Sequence, residues 1–151
     1  MKRILPIVIA ALFANQLMAQ DAPETAPNTV FSHASDTDLT QFVWKKRPIV
    51  VFADSNADPR YAEQIELLMA ALPSLDDRDV VVLTDTDPSA KSALRLKLRP
   101  RGFMLVIIGL DGGVKLRKPF PWDVREISRS IDKMPMRKRE LREKKRAISV
   151  N

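Results

Sequence analysis

PIVVFADSNADPRYAEQIELL, residues 48–68, is the stretch from which the fold follows. Pro48 to Ala53 is an unbroken β-branched and aromatic run, the mark of a strand covered on both faces. Asp58-Pro59 then sets a capping carboxylate before a proline suited to the first helical turn. Beyond it Tyr61, Ile65, Leu68 and Leu72 share one face, so a helix is expected from about Pro59 to Leu72. A buried strand feeding a helix is half of a parallel crossover unit.

Downstream the pattern repeats. Val80–Leu83 is a second buried strand, and Asp87-Pro88 repeats the cap signal ahead of a helix carrying Ala90, Leu94 and Leu98. Phe103–Ile108 (FMLVII) is the most apolar strand. Asp111-Gly112-Gly113 follows, and Asp-Gly between strands signals a hairpin because tight turns need positive φ. Val114–Lys118 alternates apolar with basic, as a half-exposed edge strand does. Lys115 and Arg117 should then point to the side opposite Val114 and Leu116. Val124, Ile127 and Ile131 mark a last helix. Upstream, Leu39, Phe42 and Val43 give a short helix within residues 36–44, with Ser35 or Asp36 as its cap. The order after that helix is β-α-β-α-β-β-α. Right-handed crossovers make the first strands parallel, and the tight turn makes the last pair antiparallel. The expected fold is α/β and thioredoxin-like: a central mixed sheet of about four strands with flanking helices, preceded by a short helix.

The ends carry different information. Lys2-Arg3, an apolar run from Ile4 to Ala14 and a small residue at Ala19 form the three-part pattern of a secretory signal peptide. The run falls short of the ~20 apolar residues that span a bilayer. The expected organisation is a signal peptide over 1–19, a flexible leader over 20–35, the domain over 36–136 and a basic tail over 137–151. An exported, periplasmic or extracellular chain follows. Removing Lys2 and Arg3 lowers the net charge of +6 to +4. From Lys133 onward eight Lys/Arg face only Glu140 and Glu143, a net of +6, so residues 20–132 carry −2. The basic character belongs to the tail.

Three segments carry a family resemblance: Trp44-Lys45-Lys46-Arg47-Pro48 leading into the first buried strand, Ile108–Lys115 (IGLDGGVK), and Ile131–Arg137 (IDKMPMR). Together they resemble a family of small secreted bacterial proteins, a thioredoxin-like domain of unknown function. That domain is similar to the repeated domain of vertebrate extracellular-matrix proteins that combine it with sushi modules. The resemblance covers roughly Asp36 to Glu140, and departs from the family at Leu110, where lysine is common. Resemblance to thioredoxin itself is weaker. Laid over its active-site strand and turn, the chain places Asn56 where the attacking cysteine would stand. Phe103 or Met104 falls where the resemblance implies a cis-proline.

The chain has no cysteine. Thiol–disulfide exchange and thiol peroxidase chemistry both need a thiolate nucleophile, so composition excludes them. No other catalytic, cofactor or metal pattern replaces them. Asp54-Ser55-Asn56-Ala57-Asp58 alternates oxygen ligands, but a calcium loop would need glycine at Pro59 and glutamate at Ile65. Asp54, Asn56 and Arg60 remain candidates for an anion at the helix N-terminus. Arg47, Lys115, Arg117 and Arg137 are candidates for a basic stripe that holds an acidic partner, set against an ordinary lysine-defended edge. Asp76, Asp77 and Asp79 read as solvation around a turn, and Trp44 and Trp122 as covers for the ends of the core. His33 reads as an exposed leader residue. In the tail, Glu140 is placed to pair with Lys144 four residues on. Arg137, Lys138 and Arg139 open a run that could hold an anionic polymer or make peripheral contact with an anionic surface. Nucleic acid is not an expected partner of an exported chain. The function expected is an exported, non-redox binding module for a protein or anionic polymer. The competing readings are a cysteine-independent enzyme and a surface binder acting through the tail.

Overall fold

The structure, a computed structural model, describes residues 30–33 and 37–150. The expected signal peptide, the leader up to residue 29, the caps Ser35 and Asp36, and the side chain of His33 lie outside the described residues.

A five-stranded sheet runs in the order β1-β3-β2-β4-β5. The central strands are β2 (Arg47–Phe52) and β3 (Val80–Asp85), which pair in parallel. β4 (Met104–Ile108) lies antiparallel to β2, and β5 (Val114–Lys118) antiparallel to β4. The four expected strands are thus present in a mixed sheet. The fifth, β1 (Phe31–His33), comes from the segment expected as a flexible leader and pairs in parallel with β3. It is a correction to that reading: an edge strand of this length has no periodicity to read.

Helices cover both faces. α1 (Pro59–Met69), α2 (Leu72–Asp76) and α4 (Val124–Asp132) bring Leu68, Leu75, Ile127 and Ile131 onto Ile49, Val51, Val82, Leu105 and Ile107. On the other face a 3-10 turn (Leu39–Phe42) and α3 (Ala93–Leu98) set Leu39, Leu94 and Leu98 on Val50, Phe52, Val106 and Ile108. Alternate residues of β2 feed opposite layers, which is why the run had to be apolar throughout. The upstream helix is a 3-10 turn capped by Asp38 instead of Ser35 or Asp36. The helix expected to reach Leu72 stops at Met69, and Pro73 falls in the first turn of α2.

Two features tie the helices to the rest of the domain. Gln64 is fully buried in α1, and its amide both donates to the Trp122 carbonyl (3.1 Å) and accepts from the Trp122 N–H (2.7 Å). The chain after α4 also continues: α5 (Pro135–Ser149) runs through the expected tail, and its first turn is packed against the domain at Arg137.

Candidate functional site

Two ends of the sheet carry polar chemistry, and they differ in what is left free. At the C-terminal ends of β2 and β3, where a thioredoxin-like fold keeps its nucleophile, Asp58 caps α1 by accepting from the Arg60 N–H at 2.9 Å. Arg60 returns on the same carboxylate with Nε at 3.1 Å and a terminal nitrogen at 2.8 Å, and lies over the Phe103 ring. Hydrogen bonding from Arg60 holds Asp58 below its usual carboxylate range. An anion at this helix end would compete with a carboxylate already in place. Asp54 is exposed, 3.9 Å from Arg95, and Asn56 is exposed beside it. Asp54 and Arg60 line one shallow open dish.

Beneath that dish lies a network the sequence reading missed. Asp85 and Arg95, both nearly buried, pair at 2.7 Å, and Asp85 also accepts from the Ser92 hydroxyl. Arg95 donates on to the carbonyls of Ala53 and Asp85, tying the ends of β2 and β3 together. An acid ending a strand that opens with four apolar residues, with the α3 cap Ser92 three residues before an arginine, was the available signal.

The opposite end is built from the three segments singled out in the sequence. Arg47 opens β2 and is fully buried. It donates to Glu140 of α5 and to the Arg78 carbonyl at 2.8 Å. Its Nε finds no acceptor among the described residues. Arg137, also buried, reaches Asp77 at 2.6 Å and Glu140 at 3.2 Å. Arg78 pairs with Asp132 at 2.8 Å. Burial opposes charge on Arg137, yet Glu140 and Asp77 outweigh it and raise its pKa. Arg47 and Arg137 are therefore corrected: they are internal ion-pair partners instead of a surface stripe, because folding brings Asp77 and Glu140 onto them. Asp77 is no mere solvation, since it also meets Lys144 at 3.4 Å. Glu140 accordingly faces inward instead of pairing with Lys144.

Beside this cluster is a mostly apolar cavity of about 250 Å³. Trp44 and Arg47 supply one wall, Gly109–Asp111 and Lys115 another, and Met134–Met136 the third. Trp44 is 63% exposed, which corrects its reading as a core cover. Its backbone sits at φ 63°, and its N–H donates to the Leu110 carbonyl at 2.7 Å. A β-bulge at Lys115 explains the geometry nearby: Leu116 opposes Ile107 while Val114 opposes Ile108, so Lys115 is the extra residue. It folds across Gly109, where any side chain would collide with its Cε, and pairs with Asp111 at 2.7 Å. That hydrogen bond holds the Asp111 carboxyl below its usual range. Arg117 goes the other way, donating to the Leu98 carbonyl at 2.6 Å. The expectation that Lys115 and Arg117 share a side fails because the bulge breaks the alternation. Lys138 and Arg139 are exposed on α5.

Residues 38–140 match the family described as Domain of unknown function (DUF4174). The chain belongs to this family. The DUF4174 match ends at Glu140, so it takes in the first turn of α5 with both residues that close the buried cluster. Among solved structures, a Plasmodium vivax 2-Cys peroxiredoxin is similar at 20% identity and TM-score 0.51, over 64% of this chain and 81% of that one. Plasmodium yoelii Prx1a gives 20% identity and TM-score 0.50, over 64% of this chain and 77% of its own. At that identity the likeness shows the thioredoxin-like fold of the DUF4174 domain. A comparison with curated proteins finds no match.

Proposed function

We propose that this DUF4174 protein is an exported, non-redox binding module that uses a thioredoxin-like scaffold to recognise another macromolecule. The observation that supports it is the state of the strand end where thiol chemistry would sit. The sequence has no cysteine, and Asp58, Arg60, Asp85 and Arg95 there are spent on capping and on one another. A general acid or base must reach a substrate proton within about 3 Å, and groups locked in ion pairs are poorly placed for that. Purified mature protein should show neither disulfide reductase nor peroxidase turnover above a no-protein control. A robust thiol-dependent rate would overturn the reading. Export is supported by the pattern at Lys2-Arg3, the apolar run and Ala19. Protein from the extracytoplasmic fraction should begin at Gln20 or within a few residues of it by mass spectrometry, and an intact Met1 in the cytoplasm would reject it.

A second reading, contact with an anionic polymer or surface through α5, is favoured by one observation. Lys138, Arg139, Arg142, Lys145 and Arg146 are exposed, and among the described residues no carboxylate pairs with them. Charge reversal at Lys138, Arg139 and Arg142, sparing Arg137 and Glu140, should abolish salt-sensitive heparin retention. Unchanged retention would exonerate the helix.

A further inference from the structure

We propose that the cavity beside Trp44 receives one large apolar side chain from an acidic peptide segment of a protein partner. The assignment rests on the binding-module reading above and names its site. Size is the first consideration. A dry cavity of about 150 Å³ holds benzene, and small-molecule pockets begin near 300 Å³. At about 250 Å³ this one suits a phenylalanine, leucine or methionine side chain better than a free cofactor or metabolite. Met134, Met136 and Leu110 supply apolar, adaptable walls.

The rim then selects the chemistry around that anchor. Arg47 is part of the wall, fully buried and held by Glu140 and the Arg78 carbonyl. The rim itself is unbalanced in charge. Among the described residues Asp111 is the one acid in the lining, and Lys115 already neutralises it. Lys133 borders the adjoining hollow that shares Lys115 and Met134, and Lys45 and Lys46 follow Trp44. No carboxylate pairs with these three lysines among the described residues. Acidic residues flanking the anchor would meet them, and a basic segment would be repelled. Trp44 itself is a large aromatic side chain left in solvent at the cavity mouth, on a backbone conformation that bulky residues avoid. Aromatic residues in that position are the usual anchors of recognition.

The test is a titration of the full mature chain, followed by backbone amide NMR shifts. The probes are three acetylated, amidated pentapeptides: phenylalanine between paired acidic residues, alanine between the same acids, and phenylalanine between paired lysines. The acidic phenylalanine peptide should shift Trp44, Gly109 to Gly113 and Met134 to Met136, and bind at least tenfold tighter than the other two. Trp44→Gly should weaken it tenfold or more while the remaining amide spectrum stays dispersed. Lys115→Glu should reverse the order of the acidic and lysine-flanked peptides, a gain that unfolding cannot imitate. Equal binding of all three, absence of shifts, or shifts centred on Asp54 to Arg60 or on α5 would overturn the assignment. A crosslinked partner captured equally by wild type and Trp44→Gly would sink the cavity while leaving the module reading intact; no capture by either protein would sink the module reading itself.

Discussion

Replacing Glu140 with alanine should destabilise the domain far more than replacing Glu143, its exposed neighbour on the same helix. Arg47 has no solvent exposure, and Glu140 is its close carboxylate partner. Once that oxygen is gone the guanidinium keeps the Arg78 carbonyl at 2.8 Å and Asp79 at 3.9 Å, with Nε still unpaired. Deleting one partner of a buried pair costs about 3–5 kcal/mol, because the surviving charge is stranded. Glu140 is itself 29% exposed, so water entering the gap reduces the expected loss to about 2–4 kcal/mol. Glu143→Ala should stay within about 0.5 kcal/mol. The paired replacement Arg47→Met with Glu140→Leu removes both charges, and apolar substitutes of similar volume are often neutral. It should therefore be more stable than Glu140→Ala alone. Urea unfolding at pH 7, followed by far-UV circular dichroism, measures all four proteins. A loss under about 1 kcal/mol for Glu140→Ala, or a double variant weaker than the single, would refute the reasoning. It would mean that Arg47 reaches water or another acceptor by a small shift. A chain ending at Met136 lacks both Arg137 and Glu140 and should be destabilised, whereas one ending after Lys144 should not.

Trp44→Gly should be more stable than Trp44→Ala by about 1 kcal/mol, because only glycine is free of strain at φ 63°; the ordinary order, with alanine ahead, would show that the residue relaxes. Asp85→Ala should cost about 3 kcal/mol by stranding Arg95, while Asp54→Ala, with its exposed side chain, should cost under about 0.5 kcal/mol. The acid limb of stability should depend on Asp77. Burial pushes its pKa up, but Arg137 and Lys144 outweigh burial and hold it below the ordinary value. A depressed folded-state pKa adds stability above the unfolded value of about 3.9 and loses it as pH falls through the folded value. The gap between wild type and Asp77→Asn in denaturant midpoint should therefore be largest at pH 6 and shrink towards pH 3; a gap independent of pH would count against the ion pairs.

The strands β2 to β5 and the helices α1, α3 and α4 were legible from local patterns: apolar runs, helical spacing, the Asp58-Pro59 cap and one Asp-Gly turn. Asp87-Pro88, read as the cap of α3, instead caps a 3-10 turn over Pro88–Ala90, and α3 starts behind Ser92. β1 was not, since Phe31–His33 gains its meaning only from pairing with Val82–Thr84. The site was less legible still. Arg47 looks like any surface arginine in sequence, and its burial depends on Glu140 from the far end of the domain. Lys115 and Arg117 were read as a simple alternation, and a one-residue bulge separated them. The three family segments were visible as text, but that they surround one cavity is a property of topology: β2 begins where β4 ends, and α5 starts beside both.

The bidentate clasp of Gln64 on Trp122 has a kinetic consequence. The Trp122 amide proton is held by a side chain of α1 instead of a backbone partner, so it can exchange with solvent only when that helix lifts from the sheet. Hydrogen exchange at Trp122 should then follow the rate of the α1 amides, and not that of the loop in which Trp122 resides. One helix and one loop, 58 residues apart in the chain, would open as a single cooperative unit.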